Sequence, residues 1–394
     1  MNADLTSADT LVESPFVIVK IGNLTIGDCT KSGNSTKFPN FLHGIRVVKI
    51  NGAVNTYTLN IKYQISVGDD PNLIDKALSS IADNRRITIS YGDWAYPSSI
   101  YKEETAIIST VKNTFDFTAS RIDYTISAVS ETQQDLNSKC YNFAGTVSKP
   151  SDVMKSMVKN KTYGITAALP GLNGSTMNAL IAGDDAKVHI SPKNNTTVIN
   201  YFNYLTSCMT SQNGLQSTYK MTINDSKTAD GKGASLSVQP MSAAMSSDDN
   251  TYTIDIGYPT NKFVTAFNIL TDNQWSILYK GDEDVTQSDY CYTISDDGKL
   301  IVTSAPSITK SKTTMQTEAS GGKWWKDMTE FPITAQVTLK GLTKVTMLMS
   351  YVKVNVVFYG QQHISSGLYC IQKDEMFVDA QGFKTTLTLV RVAS

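Results

Sequence analysis

The three histidines of this 394-residue chain are the first side chains to consider for chemistry, because imidazole is a common general base and metal ligand. His43, His189 and His363 lie in separate regions, and none has a second histidine or a cysteine at the spacing of a metal site. Zinc needs three or four converging ligands. No GxSxG sequence and no local cysteine signature marks an activated nucleophile, although the members of a triad can be scattered along a sequence. The sequence therefore predicts no catalytic residues and no metal ligands.

Three further groups of residues could do chemistry, and each also has a purely structural interpretation. The acidic runs Asp248-Asp249 and Asp282-Glu283-Asp284 offer oxygen ligands for calcium, but the EF-hand pattern is missing and such runs are usually solvated turns. The segment PGLNGS at 170–175 lacks the lysine and hydroxyl residue of a phosphate-binding loop. Trp324 and Trp325 could anchor a sugar or a partner, or could hold a long loop on its own domain. We expect no cofactor.

The composition indicates a polar, β-rich globular protein. Apolar residues make up 41% of the chain and charged residues 18%, where about a quarter is usual. The net charge of −1 gives no electrostatic footprint for nucleic acid, so no specific nucleic-acid binding is expected. No stretch approaches the ~20 apolar residues of a membrane helix, and residues 1–14 are expected to form a flexible arm rather than a signal peptide. The five scattered cysteines suit a reducing cytoplasm.

Hydrophobic periodicity predicts a mainly β protein with a smaller α+β part. The first β domain spans residues 15–131, and FVIVKIGNLTI at 16–26 is expected to be one strand. Residues 41–65 alternate as a hairpin with a turn at Asn51-Gly52, a strong hairpin signal. A helix with an apolar stripe interrupts the strands at 70–81, where Asp70 is the expected N-cap.

The middle and the end of the chain differ in pattern. Residues 145–245 predict an α+β domain, with one helix at 151–160 capped by Ser151 and a longer one within 194–214. From residue 250 the β pattern returns and continues to residue 394, with a long polar insertion at about 282–330. Two β domains therefore flank the helix-containing middle domain. We predict that both β domains have the same topology.

The most specific pattern lies at 358–392, FYGQQHISSGLYCIQKDEMFVDAQGFKTTLTLVRV. Its two strands meet at a turn that closes on Gly382, where positive φ is expected. The segment G-x-x-H-x-x-S-G-x-Y from Gly360 to Tyr369, followed by a hairpin that ends in G-F-x-T-x-L, resembles the C-terminal signature of baseplate hub proteins of contractile-tailed bacteriophages. Related signatures occur in contractile bacteriocins and type VI secretion spikes, so the resemblance leaves the type of system open.

The resemblance implies a structural role. In that family both β domains have the tail-tube barrel fold, and three subunits offer six pseudo-equivalent barrels that join a hexameric tube to a trimeric central spike. It implies a homotrimer in the virion, in the tail baseplate, made in the bacterial cytoplasm and without enzymatic activity. The implied partners are the spike, the tail tube or its initiator, surrounding baseplate proteins and the tape measure protein. The ring would pass the genome or an effector.

Two alternative functions stay open from the sequence. A tail-associated cell-wall hydrolase would need a catalytic cluster, and a sugar- or receptor-binding tail protein would use Trp324, Trp325 and nearby loops. Oligomeric mass, peptidoglycan turnover and binding to cell walls would separate the three functions.

Overall fold

The computed structural model describes both β-rich ends of the chain and most of the middle. The described residues are 2–22, 24–27, 42–64, 79, 81, 85–168, 181–209, 218–224, 227–228, 235–241, 246–247, 250–257, 261–271, 333–363, 365–379 and 382–392, with the backbone of four short strands between 285 and 309.

Several sequence predictions fall outside these residues. They are the acidic runs at 248–249 and 282–284, the segment 170–175, Trp324 and Trp325, and most of the insertion at 282–330. Of the predicted helix at 70–81, only Ser79 and Ile81 are described; both are helical, and Ile81 is buried in the first apolar core.

Strands dominate the N-terminal part of the chain. These are β1 (Ala3–Asp4), β2 (Leu11–Val12), β3 (Pro15–Ile21), β4 (Leu24–Gly27), β5 (Leu42–Ile50), β6 (Thr56–Gln64), β7 (Arg86–Asp93), β8 (Tyr96–Asp116) and β9 (Arg121–Ser130). The middle part mixes helices and short strands. These are α1 (Glu131–Asn137), β10 (Cys140–Phe143), β11 (Thr146–Ser148), α2 (Pro150–Lys159), a 3₁₀ turn (Lys161–Tyr163), α3 (Ile165–Ala168), β12 (Val188–Ile190), β13 (Lys193–Thr197), α4 (Val198–Cys208), β14 (Thr218–Asn224), β15 (Lys227–Thr228) and β16 (Ser235–Met241).

The C-terminal part is again made of strands. These are β17 (Thr251–Gly257), β18 (Val264–Thr271), β19 (Val285–Thr286), β20 (Cys291–Ile294), β21 (Leu300–Thr303), β22 (Ile308–Thr309), β23 (Ile333–Lys340), β24 (Leu342–Thr343), β25 (Tyr351–Phe358), β26 (Gln361–Gln362), β27 (Gly367–Asp379) and β28 (Gly382–Arg391). No helix in the described ranges is long and apolar enough to cross a membrane.

The first β-rich part departs from prediction at two turns. Residues 16–26 form two strands rather than one, because Gly22 has φ +56° and reverses the chain between β3 and β4. The hairpin of β5 and β6 is confirmed, but its loop runs from Asn51 to Asn55 rather than turning within two residues. The longer loop reaches the middle part, where the N–H of Gly52 donates to the carbonyl of Met221 over 2.8 Å.

The middle part has its own apolar core, which lies between its helices and the hairpin of β14 and β16. The predicted face of α2 is confirmed, since Met154, Met157 and Val158 are all buried. Ser151 is not the N-cap, however, because Lys149 occupies that position and the Ser151 hydroxyl donates to Asp185 over 2.5 Å. The longer helix starts at Val198, later than predicted, because residues 193–197 pair as β13 with β10.

The N-terminal residues do not form the predicted flexible arm. Strand β1 pairs in parallel with β17, and β2 pairs antiparallel with β24. Leu5, Leu11 and Val12 are at most 5% exposed, and Leu5 and Leu11 belong to the apolar core of the C-terminal part. Their short alternation of apolar and polar residues is too brief to signal a strand, and burial against a distant segment orders them.

The two β-rich parts have the same strand order, which confirms the predicted common topology. In the N-terminal part the order is β5-β6-β9-β8-β7-β3, which we call the first β-unit. In the C-terminal part it is β18-β23-β28-β27-β25-β17, the second β-unit. Each strand of one unit thus has a counterpart with the same chain order and the same neighbours in the other. Only the last pair differs in direction, since β3 runs antiparallel to β7 whereas β17 runs parallel to β25.

The equivalence extends to the register of individual residues. Ile108 faces Ala128 and Thr110 faces Ser127, with a β-bulge between the two pairs. In the second β-unit, Ile371 faces Leu389 and Lys373 faces Thr388, and a bulge lies at the same step. A second bulge precedes Gly44 in β5 and Ala266 in β18. Bulges shift the register of a strand, so two shared bulges and equal pairings define a residue-by-residue correspondence between the units.

Each β-unit surrounds one apolar core, and the two units are joined in one continuous sheet. The connection is made by β27, whose first residues pair with β25 and whose later residues pair with β5 of the first unit. The closing hairpin of the chain therefore shapes both units. Gly382, at the end of its turn, has φ +120°, which confirms the expected positive value.

Candidate functional site at the strand edges of the two β-units

The junction between the units is the antiparallel pairing of β5 with the second half of β27. It aligns Asp374 with Lys49, Met376 with Val47 and Val378 with Ile45. Met376 is 2% exposed and packs in the apolar core of the first unit, although it belongs to the second. Because both backbone pairing and core packing cross the junction, both stabilise the contact between the two units.

Two lysines and two acidic residues at this junction are almost completely buried. Lys49 and Lys102 are basic, Glu104 and Asp374 are acidic, and each is 1% exposed. The Lys49 ammonium forms an ion pair with Glu104 and donates to Thr346 Oγ1 over 2.9 Å. Lys102 lies 4.0 Å from the same carboxylate. A buried charge that loses its partner is costly, so removing a single member of the cluster should destabilise the junction. We call these four residues the charged junction.

Backbone groups and an aromatic ring complete the surroundings of the charged junction. Lys102 Nζ donates to the carbonyl of Thr343 over 3.3 Å and lies 4.5 Å from the centre of the Tyr91 ring. The Met347 N–H donates to Asp374 Oδ2 over 3.1 Å. The segment between β24 and β25 thus closes over the charges. Strands from both units and this segment meet at one point.

Burial controls the protonation of the charged junction. It lowers the pKa of Lys102 to about 8, although the nearby Glu104 carboxylate opposes the shift. Burial also raises the pKa of Asp374, against the effect of Lys102 and Lys49. In both residues, loss of hydration disfavours the charged form more than the partners favour it.

We expect the stability of the protein to rise between pH 8 and about pH 9.5 because of Lys102. The folded-state pKa of about 8 lies below the ordinary value of 10.5, so in this interval the unfolded chain binds more protons at this lysine. The buried Tyr91 and Tyr101 have raised pKa values and act in the opposite direction only above about pH 10. Urea unfolding at both pH values, on the native chain and on Lys102→Met, measures the effect. Parallel pH profiles of the two proteins would contradict the assignment.

The outer rim of the junction carries a second, more exposed group of charges. Arg46 on β5 donates to Glu375 on β27 over 2.6 Å, and Lys373 donates to the same carboxylate over 2.6 Å. Burial alone would raise the pKa of Glu375, but the hydrogen bonds from Lys373 and Arg46 outweigh it and lower the pKa. The Arg46 guanidinium also lies 5.5 Å from the centre of the Phe377 ring. The opposite charges of Arg46 on β5 and Glu375 on β27 favour the pairing of these two strands.

The structure does not bring the three histidines together. His43 lies exposed on β5, His189 exposed on β12, and His363 exposed before β27. His363 Nδ1 accepts the N–H of Ser365 over 3.2 Å and lies 2.7 Å from its hydroxyl, which closes a local turn. Within the described ranges, no group of three or more His, Cys, Asp or Glu side chains could hold a metal ion.

The charged junction has only a weak signal in the sequence. In β8, Lys102 and Glu104 lie at inward-facing positions, on the same face of the strand as the buried Ala106. A charge at an inward position of a strand is unusual, because burying it is costly unless it is paired. That departure from alternation could have indicated a buried ionic contact. The partner residues, 55 or more positions away, could not have been identified from one sequence.

Known proteins resemble this chain in structure but not in sequence. The sequence matches no protein-family model and no curated protein. The structure is similar to the 43 kDa tail protein of prophage MuSo2 from Shewanella oneidensis, with a TM-score of 0.51, 13% identity and coverage of 96% of this chain and 98% of that one.

Two further solved structures are similar at lower scores. A tail protein from Neisseria meningitidis MC58 has a TM-score of 0.49, 11% identity and coverage of 96% of this chain and 97% of that one. The E. coli c3393 protein, a component of the type VI secretion system, has a TM-score of 0.47, 6% identity and coverage of 92% and 76%. The structural neighbours of the chain are thus tail and secretion-system proteins, and its mainly β fold is that of the Shewanella prophage tail protein.

Proposed function

We propose that this chain is the structural hub of a contractile-tail baseplate. Three copies form a ring of six pseudo-equivalent β-units, which joins a hexameric tail tube to a trimeric central spike. The protein is then a component of the virion tail and has no enzymatic activity. Its other partners are the tube or its initiator, the surrounding baseplate proteins and the tape measure protein, and the genome passes through the ring.

The observation that carries this proposal is the residue-by-residue equivalence of the two β-units. In this chain the two equivalent units are joined through the charged junction. Three such chains in a ring can present three-fold symmetry on one face and near six-fold symmetry on the other. Such a part suits the contact between a six-fold and a three-fold assembly. The similarity to a prophage tail protein supports the same assignment at the level of fold.

The test is the mass and shape of the purified chain, alone and with its spike. Native mass spectrometry should give three times the mass of one chain, and electron-microscopic class averages should show a ring with six lobes of similar size. A chain that stays monomeric at all concentrations, with and without the spike, would contradict the hub function.

The absence of enzymatic activity can be tested with the histidines. We expect the native chain to release no soluble fragments from peptidoglycan, and His363→Ala, His189→Ala and His43→Ala to behave like it. The reason is that the three side chains lie in separate parts of the fold, and among the described residues only His363 has a hydroxyl within hydrogen-bond distance. A dye-release assay against a lysozyme standard provides the measurement. Turnover by the native chain that His363→Ala abolishes would support the hydrolase alternative instead.

A further inference from the structure

Each β-unit has an equivalent strand edge that could accept another strand, and the described residues occupy only one of the two edges. In the second unit, Lys373–Val378 of β27 pairs on one side with β28 and on the other with β5. The equivalent stretch of β8 in the first unit is residues 110–115, by the shared bulge and register. It pairs with β9 on one side, and in the described part of the chain no strand lies on its other side.

The counterpart of β5 is also open on one side. Strand β18 corresponds to β5 and pairs with β23 as β5 pairs with β6. On its other edge, where β5 carries β27, β18 has no pairing within the described residues. Among the described residues there is therefore one free edge of each kind, that of β18 and that of the second half of β8.

Residues of β18 and of the second half of β8 are more exposed than their counterparts in β5 and β27, as expected for strands without a neighbour on one side. Ile45 and Val47 of β5 are 3% and 1% exposed because β27 covers them. Their counterparts Phe267 and Ile269 of β18 are only partly buried against the second apolar core. On the opposing edge, Val378 packs against the first core, whereas its counterpart Phe115 is 50% exposed.

We infer that β18 of one copy of this chain pairs antiparallel with the second half of β8 of the next copy, in the register that β5 and β27 use within the chain. This inference rests on the proposed function and names the surface by which the copies meet. The transferred register places Phe115 opposite Phe267, Asn113 opposite Ile269, and Val111 opposite Thr271.

The chemistry of the two edges suits this pairing. Phe115 and Val111 project from the same face of β8, and both are at least 40% exposed. On that face they would pack on Phe267 and Ile269, and would cover the side of the second core that its own chain leaves open. No like charges meet in this register, since Lys112 is opposite Leu270 and Thr114 is opposite Asn268. Exposed edges with apolar side chains normally require such a cover.

The pairing is head-to-tail, because it joins two different surfaces of identical chains. Each copy supplies one β18 edge and one β8 edge, so a closed ring pairs all the edges of these two kinds. The junction within the chain and the contact between chains would alternate around the ring. They would differ in chemistry, since the first is charged and the second is apolar.

Cysteine cross-linking tests the register directly. In a background with Cys29, Cys140, Cys208 and Cys291 replaced by serine, which leaves only the buried Cys370, Asn113→Cys combined with Ile269→Cys should give covalent dimers and trimers on mild oxidation. The reason is that directly opposed residues have Cα atoms about 4.5–5.5 Å apart. The matched control combines Thr114→Cys with Ile269→Cys. A shift of one residue turns the side chain to the other face, so we expect at least about fivefold less cross-linked product. Variants that carry only one of the two introduced cysteines must give none.

The outcomes separate this inference from the proposed function. Cross-linking at 113 and 269 but not at 114 and 269 supports the register. A native chain that is trimeric while both pairs fail to cross-link, or cross-link equally, overturns the register and leaves the hub function standing. Phe115→Asp provides a second measurement, since this exposed residue should not be needed for folding of the monomer. It should lower the trimer fraction at least about tenfold without changing the circular dichroism spectrum, and an unchanged trimer fraction would contradict the inference.

Discussion

Replacing Glu104 by glutamine should destabilise the protein by about 3–5 kcal/mol. This is the largest effect that we expect from a single substitution that removes a charge and keeps the shape of the side chain. The amide has the shape of the carboxylate but no charge. Loss of the Glu104 charge leaves Lys49 and Lys102 buried, with Asp374 as their remaining acidic neighbour. Burial raises the pKa of Asp374. One or both lysines must then lose a proton or be drawn towards water. Either result loosens the junction between β5 and β27.

Glu103→Gln is the matched control, because it removes the same charge one position away on the opposite face of β8. Glu103 is half-buried and accepts a hydrogen bond from the Ser90 hydroxyl over 3.1 Å, so we expect a cost below about 1 kcal/mol. Urea unfolding gives the difference in stability, and hydrogen exchange in peptides from β5 and β27 shows where the structure opens. Equal effects of the two substitutions would mean that the charged junction does not hold the units together.

A double variant checks that the cost comes from unpaired charge rather than from lost shape. Glu104→Leu combined with Lys49→Met removes the close ion pair and keeps apolar volume, and such replacements are often neutral or stabilising. It should be more stable than Glu104→Gln.

The strands that alternate regularly could be predicted from the sequence. In β6, Tyr57, Leu59 and Ile61 are buried, and the residues between them face outward or are half-buried, as the period of two requires. The closing hairpin was equally clear, because Gly382 marks its turn and leucines alternate after it. Within these elements, local pattern and tertiary burial agree, and no distant partner is needed to choose between structures.

Other features depend on distant residues and have no local signal. β2 becomes a strand only because β24, more than 300 positions away, lies beside it. The loop after β5 is longer than its Asn-Gly pair suggests because it bonds to the middle part of the chain. The common topology was predicted from similar strand content, but the shared register and bulges appear only when strand partners are known.

The candidate site also depends on residues that are distant in the sequence and has no local signal. The two strand edges that we propose as contact surfaces are made of residues with no individual signal in the sequence, such as Asn113 and Ile269. They gain meaning from their counterparts in the other unit, because Met376 is buried where Asn113 is exposed and Val47 is buried where Ile269 is half-buried. A comparison of equivalent positions within one chain therefore carries information that no single motif contains.

Replacing Gly341 by alanine should cost at least about 3 kcal/mol and release the N-terminal residues from the second β-unit. Gly341 has φ +119°, and a Cβ there would lie 2.6 Å from the carbonyl oxygen of Val12. Strain in this backbone region costs about 1–3 kcal/mol, and the contact with a backbone atom adds to it, because the chain at β2 must move.

Gly382→Ala separates these two contributions, because Gly382 has almost the same φ, +120°, and its Cβ would meet nothing within 4 Å. It should show only the backbone strain. Thermal unfolding measures both variants, and limited proteolysis reports whether residues 3–12 are released. We expect Gly341→Ala to be the less stable protein and to be cleaved near Val12, whereas Gly382→Ala keeps this segment protected. If the two variants unfold at the same temperature with equal protection, the close packing of the N-terminal segment on β24 does not contribute to stability.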